Sequence, residues 1–334
     1  MSLVSRDPRD AAFRAIGTVF AADPRAMLLT NDMGALGVDE LSARYPDRVV
    51  NAGIAEQNLI SVAAGLALTG RTVFTWGILS HMTARCYEQL RLDVCTRALP
   101  VIGIASGAGL SYGVDGPTHH GTHDLGPLRA LPGMAIWNPC DGPIAEAAVL
   151  AACRDRGPAI VRLDKEAPEP AHDLAHTHID LGLAILRAGS DATIVATGAS
   201  VHRALEAASR LAHEGISARV VDLFRLAPVD EGLLTGVLTE TPAVVSVEEH
   251  ARTGGLASLL AERIAELARP PRFRALALAD QLLLGVTTRE RAEQDYGIGA
   301  TGIARAVSDL LAENRRGGLR PLRRAANDSC RRVA

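Results

Sequence analysis

Residues 49–70, VVNAGIAEQNLISVAAGLALTG, decide how the chain is read. Val49 and Val50 end a buried strand and Asn51-Ala52-Gly53 turns the chain. From Ala55 the pattern becomes helical, with Leu59, Ile60, Val62, Ala63, Leu66 and Ala67 at three- and four-residue spacing. Gly70 stands where a helix would stop. Ala63, Ala64 and Gly65 keep the helix thin enough for close approach on its sides, which predicts a buried helix with Glu56 in its first turn. The helix dipole by itself favours an acid there, so the meaning of Glu56 depends on its company.

Working outward, the same alternation repeats. A helix over 10–22 puts Phe13, Ile16, Val19 and Phe20 on one face, with Asp10 as its expected cap. The strand 26–30 ends in Asn31-Asp32-Met33-Gly34, a polar turn at a strand's carboxyl end, where open parallel sheets bind ligands. Strands over 48–51, 72–75, 100–105, 134–137 and 159–163 alternate with helices over 56–69, 81–96 and 143–153. The stretch 164–178, DKEAPEPAHDLAHTH, has no apolar periodicity and reads as a linker. A second run then follows, with strands over 192–197, 218–222, 243–248 and 273–277 and helices over 201–214, 230–239, 254–267 and 300–313. Thr197-Gly198-Ala199-Ser200 lacks a P-loop lysine and reads as a tight turn capped by Ser200. The expected fold is α/β, two doubly wound domains with mostly parallel sheets.

With 334 residues, 48 % hydrophobic and 22 % charged, the chain has the composition of a soluble two-domain protein. A net charge of −3 argues against nucleic-acid binding. Five scattered cysteines without a Cys-x-x-Cys pair fit free thiols in a reducing cytoplasm. There is no signal-like N-terminus and no apolar run long enough for a membrane, so the expected location is cytoplasmic. Arginines crowd residues 315–334, read as a mobile solvated tail.

The second distinctive stretch is DGPTHHGTHDLGPLRALPG, residues 115–133. Its glycines and Pro117 exclude a regular helix, so Asp115, His119, His120 and His123 project from a loop after a buried strand. Three imidazoles and a carboxylate within six residues allow a metal site, but no HExxH or cysteine partner accompanies them, and no metal ligand is assigned.

GIAEQN together with DGPTHHGTHDLGPLRALPG resembles the pyrimidine-binding half of transketolase and of deoxyxylulose-phosphate synthase, and VEEHARTGGL, residues 247–256, resembles the transketolase C-terminal domain. The resemblance implies a pyrimidine-binding domain over 1–170, a linker over 171–185 and a transketolase C-terminal domain over 186–314. It implies thiamine diphosphate as cofactor, with Glu56 hydrogen-bonded to the aminopyrimidine and favouring the imino tautomer that serves as base. It gives His119 the substrate carbonyl and developing oxyanion, and Asp115 a donor hydroxyl. His120 and His123 join them as substrate contacts, as does Asp32 from the polar turn. Where the family has an aromatic residue against the pyrimidine, this chain has Met82, with Arg85 and Tyr87 as alternatives.

Two absences shape the expected function. The family's basic phosphate-holding positions fall on Gly107 and Asp164, which cannot make charge-assisted bonds to a phosphate. No Gly-Asp-Gly motif for diphosphate and Mg²⁺ occurs in the sequence. The expectation is the C-terminal subunit of a split transketolase, completed by an N-terminal partner carrying that motif, most simply as α₂β₂. It would transfer a two-carbon ketol unit from a ketose to an aldehyde other than the usual sugar phosphate. The alternatives are the β subunit of a 2-oxo acid dehydrogenase or acetoin-cleaving component, a non-catalytic paralogue, and a metal-dependent hydrolase built on the histidine loop.

Overall fold

The structure is a computed structural model and describes residues 6–284 and 287–315. Twelve strands form two sheets among the described residues. Strands β1 (Met27–Thr30), β2 (Val49–Asn51), β3 (Val73–Ile78), β4 (Val101–Ser106), β5 (Ala135–Trp137) and β6 (Ala159–Leu163) come from the first half of the chain. The second half contributes β7 (Ala184–Arg187), β8 (Ala192–Ala196), β9 (Ala218–Asp222), β10 (Arg225–Ala227), β11 (Ala243–Ala251) and β12 (Arg272–Leu278). The seven-stranded sheet runs β10-β5-β6-β4-β3-β1-β2 and the five-stranded sheet β12-β11-β8-β9-β7. Pairing is parallel except for β10 with β5 and β7 with β9.

Crossover helices cover these strands, as parallel pairing requires. Helix Pro8–Ala22 is capped by Asp7, whose carboxylate accepts from the Arg9 N–H at 2.8 Å with Pro8 at the first position. Asp10, the cap expected from the sequence, lies inside that first turn, because Pro8 already has the φ a helix needs. Asp141 caps helix Gly142–Asp155 by accepting from the Ile144 N–H. Ser200 is not a cap: Ala199 already has helical backbone angles, so Ser200 begins helix Ser200–His213 and is buried. The helix expected over 81–96 is present as wide turns at His81–Arg85 and Leu90–Val94 around a short α segment, Tyr87–Gln89.

The sheets share a core. One apolar cluster runs from Leu59 and Ile60 through Leu128 and Met134 to Leu226, Leu256 and Leu260. Strand β10, too short to carry a periodic signal, crosses from the second half to edge the first sheet, and Phe224 beside it stacks on Trp137 at 6.3 Å. The turn at Gly198 docks on the first sheet as well, its N–H bonded to the Asn138 carbonyl at 3.1 Å. The expected linker is seated against the core: the Ala171 N–H donates to Asp141, His172 is buried, and Ala184 and Ile185 already belong to β7. Beyond Arg315 the arginine-rich tail lies outside the described residues.

Candidate active site

Glu56 opens helix Glu56–Leu68 and is buried. The turn that delivers it is tied at both strand ends. The Asp32 N–H donates to Asn51 Oδ1 at 3.0 Å, and Asn51 Nδ2 returns a bond to Asp32 Oδ1 at 2.9 Å. The Ala52 N–H donates to the Thr30 carbonyl. Inward, the helix packs Leu59, Ile60, Ala63, Ala64 and Ala67. It is not packed on all sides as expected: Val62 and Leu68 are exposed, and a Cβ at Gly65 would meet open space. The helix is thus half-covered by its own chain, with an apolar outer face continued by Ile54 and Leu92.

Three nitrogens converge on one oxygen of Glu56, those of Arg85 and Asn31 as hydrogen-bond donors. Arg85 Nη1 lies at 3.0 Å, Asn31 Nδ2 at 3.4 Å and His81 Nδ1 at 3.6 Å from Oε1. Asn31 Oδ1 is buried without a hydrogen-bond partner among the described residues. His81, first of all by burial and then by Arg85, is held below the ordinary imidazole pKa. Its ring meets that of His119 edge-on at 5.2 Å, so His81 physically joins the carboxylate to the histidine loop. Its number is in the quoted sequence, but only the wide first turn of its helix shows that it faces both groups.

The loop histidines point to separate partners rather than to one ion. His119 Nδ1 is 2.9 Å from Thr118 Oγ1, buried His120 donates from Nε2 to the Gly113 carbonyl at 3.1 Å, and exposed His123 pairs with Thr122 Oγ1 at 2.9 Å. Thr83, Tyr87, His120, His123, Pro127 and Leu128 line a cleft of about 610 Å³. Met82 is fully buried, its thioether against Gly77, beneath the site and in the core. Asp115 and Asp32 are exposed at loop tips. Arg85 is half-exposed and is engaged by Glu56.

The loop is held from both domains. Buried Arg162 on β6 donates to Asp124 Oδ2 and Oδ1 at 2.7 and 3.0 Å, to the Gly121 carbonyl at 2.9 Å and to Asn138 at 2.7 Å. From β11, Glu249 accepts from the Leu110 N–H at 3.1 Å and the Ala251 N–H donates to the Thr122 carbonyl. His250 Nε2 accepts from the Leu125 N–H at 3.1 Å while Nδ1 donates to the Ala251 carbonyl at 2.7 Å. This clamp is the structural use of VEEHARTGGL. Its first glutamate, Glu248, accepts from the Leu256 and Ala257 N–H groups at the mouth of the following helix, Leu256–Ala265.

The two positions expected to lack phosphate ligands are occupied in a specific way. Gly107 has φ +108°, and a Cβ there would press on the Tyr112 ring, so no long basic side chain fits. Asp164 pairs with Arg289, which arrives from the second half of the chain and also contacts Glu166 at 2.6 Å and Glu249 at 3.1 Å. Three carboxylates therefore surround that guanidinium. Lys165 lies over the Tyr112 ring at 5.2 Å, beside His119, and supplies a cation to this edge of the site.

The sequence matches two families in order: "Transketolase, pyrimidine binding domain" over residues 5–169 and "Transketolase, C-terminal domain" over 182–303. The chain belongs to the transketolase family. It is 31 % identical over 283 residues to one subunit of the apulose-4-phosphate transketolase of Phocaeicola vulgatus, covering 84 % of this chain and 90 % of that one. It is 34 % identical over 291 residues to the 6-deoxy-6-sulfo-D-fructose transketolase subunit SqwH of Clostridium sp. strain MSTE9, covering 86 % and 89 %. Among solved structures it is similar to a split gene transketolase, an inactive beta4 tetramer, with TM-score 0.84, 32 % identity and coverage of 92 % of this chain and 99 % of that one. The transketolase fold thus accounts for both sheets.

His250 makes the clamp sensitive to acid. Burial first of all, with Asp124 opposing and Arg162 adding, pushes its pKa down to about 4. An unfolded imidazole titrates near 6.5, so between these values the unfolded chain holds the extra proton and stability falls as pH drops. The expected loss is about 3 kcal/mol from pH 7 to pH 4. His250→Gln retains an acceptor for the Leu125 N–H and should remove that part of the slope. Urea midpoints of both proteins across this range test it; parallel curves for the two would show that His250 does not titrate as described.

Proposed function

We propose that this chain is the C-terminal subunit of a thiamine diphosphate-dependent transketolase that moves a two-carbon ketol unit from a ketose to an aldehyde acceptor. The observation that carries the proposal is the buried Glu56 carboxylate, set at a helix mouth beside the orphan Asn31 Oδ1. These two acceptors fit the N–H groups of an aminopyrimidine. When bound, the cofactor supplies an acidic thiazolium carbon that the protein's own side chains lack. Glu56 would share a proton with the pyrimidine ring, and Arg85 and His81 would hold its oxygen in place. His119 would donate to the substrate carbonyl oxygen, and Asp115 and His123 would hold donor hydroxyls from the loop.

Diphosphate and Mg²⁺ are assigned to a separate N-terminal subunit bearing Gly-Asp-Gly, in an α₂β₂ enzyme of the cytoplasm. Supporting this are the names of relatives, themselves single subunits matched nearly end to end, and the exposed apolar rim of Ile54, Val62, Leu68 and Leu92 around the Glu56 helix. The acceptor is proposed to differ from the common sugar phosphates, since Gly107 and the carboxylate-ringed Arg289 leave Lys165 as the cation on that edge. A flexible ammonium gives a phosphate less than a bidentate guanidinium pair does.

The reconstituted enzyme should therefore use ribose 5-phosphate or glyceraldehyde 3-phosphate with lower kcat/KM than their unphosphorylated or differently substituted counterparts. Steady-state assays with matched acceptor pairs decide it. Full efficiency with either phosphate would overturn the acceptor assignment while leaving ketol transfer standing.

A further inference from the structure

Away from Glu56 and the histidine loop, Cys140, His172 and Asp222 bring one ligating atom each to within 4.8 Å of one another, and all three side chains are buried. They come from three separate parts of the fold. Cys140 precedes helix Gly142–Asp155, His172 lies in the segment joining the two halves, and Asp222 ends β9. We propose that these residues form a structural zinc site that ties the connecting segment to both sheets.

Three observations support it. First, Asp222 is completely buried, and its Oδ1 has no hydrogen-bond partner among the described residues, so half of a buried carboxylate is left unanswered. Second, the imidazole is oriented from behind. Thr177 donates to the Asp173 carbonyl at 2.9 Å, and its oxygen lies 3.3 Å from His172 Nδ1. The other ring nitrogen, Nε2, lies 2.8 Å from Asp222 Oδ2, so the imidazole and the carboxylate already face each other. Third, charge and donor type agree. A thiolate and a carboxylate neutralise a divalent ion, and sulfur with imidazole selects zinc over magnesium or calcium. As zinc enters, the Cys140 thiol proton and any proton held between Nε2 and Oδ2 leave to solvent, and Zn–S and Zn–N bonds form.

The test uses the full chain, expressed without a histidine tag and purified without chelator. Elemental analysis is expected to find one zinc per chain. Cobalt added to the stripped protein is expected to give a near-ultraviolet thiolate-to-metal band, absent in Cys140→Ser although Cys330 and the other thiols remain. Circular dichroism of Cys140→Ser confirms that it is folded, and if it is not, Asp222→Asn and the metal content of the unaltered chain carry the decision. Chelation should lower the unfolding midpoint of the unaltered chain and leave that of a folded variant unmoved. Substoichiometric zinc with no cobalt band in the unaltered chain would overturn the site, as would a band that persists in folded Cys140→Ser.

Discussion

Glu56→Gln is expected to reduce turnover of the reconstituted enzyme by roughly 10²–10⁴-fold, the range of general acid–base contributions, with the cofactor still bound. Glutamine keeps an oxygen for Arg85, Asn31 and His81, so the cluster on Oε1 survives and the urea midpoint of the chain should barely move. An amide cannot share a proton with the ring nitrogen, so exchange of the cofactor's acidic carbon-bound proton should stop as well. Exchange at the original rate in a folded, cofactor-binding Glu56→Gln enzyme would remove Glu56 from the chemistry. The pairing of unchanged stability with lost exchange separates this role from a structural one.

The second large effect is expected at Arg162. It is 2 % exposed and holds Asp124, Asn138 and the Gly121 carbonyl together, anchoring the loop just after His119 and His120. Arg162→Met fills similar volume but leaves Asp124 buried without a cation, and breaking such a pair costs about 3–5 kcal/mol. Removing both partners is milder than removing one, so Arg162→Met with Asp124→Leu should recover much of the loss. Thermal and urea unfolding of the two single variants and the double variant measure this coupling. Strict additivity would mean that the two side chains do not depend on each other.

The features that were legible in the sequence are those with a local cause. The strand–turn–helix around Glu56 follows from apolar spacing, and the order of strands and helices follows from the same pattern repeated. Local signals also misled where two acids competed: Asp7 took the cap from Asp10 because Pro8 fixed the start of the helix. What escaped depends on distance along the chain. Asp164 reads alone as a lost phosphate ligand, yet its partner Arg289 lies 125 residues away. β10 is three residues long and gains its place only by pairing with β5 from the other half. His81 faces Glu56 and His119 because its helix opens with a wide turn, which spacing rules for regular helices do not describe. The outer face of the Glu56 helix looked buried in the sequence because its apolar residues run round both sides. In this chain Val62 and Leu68 are exposed, which is what a surface awaiting a partner would show.

Calorimetric titration of thiamine diphosphate with Mg²⁺ tests the split site most directly, first into this chain alone and then into its mixture with a candidate Gly-Asp-Gly subunit. The account predicts no measurable binding to the chain alone and saturable binding in the mixture, abolished when the partner's Gly-Asp-Gly aspartate is replaced. Tight, magnesium-dependent binding to the chain alone would contradict it, because the diphosphate site would then lie within these 334 residues.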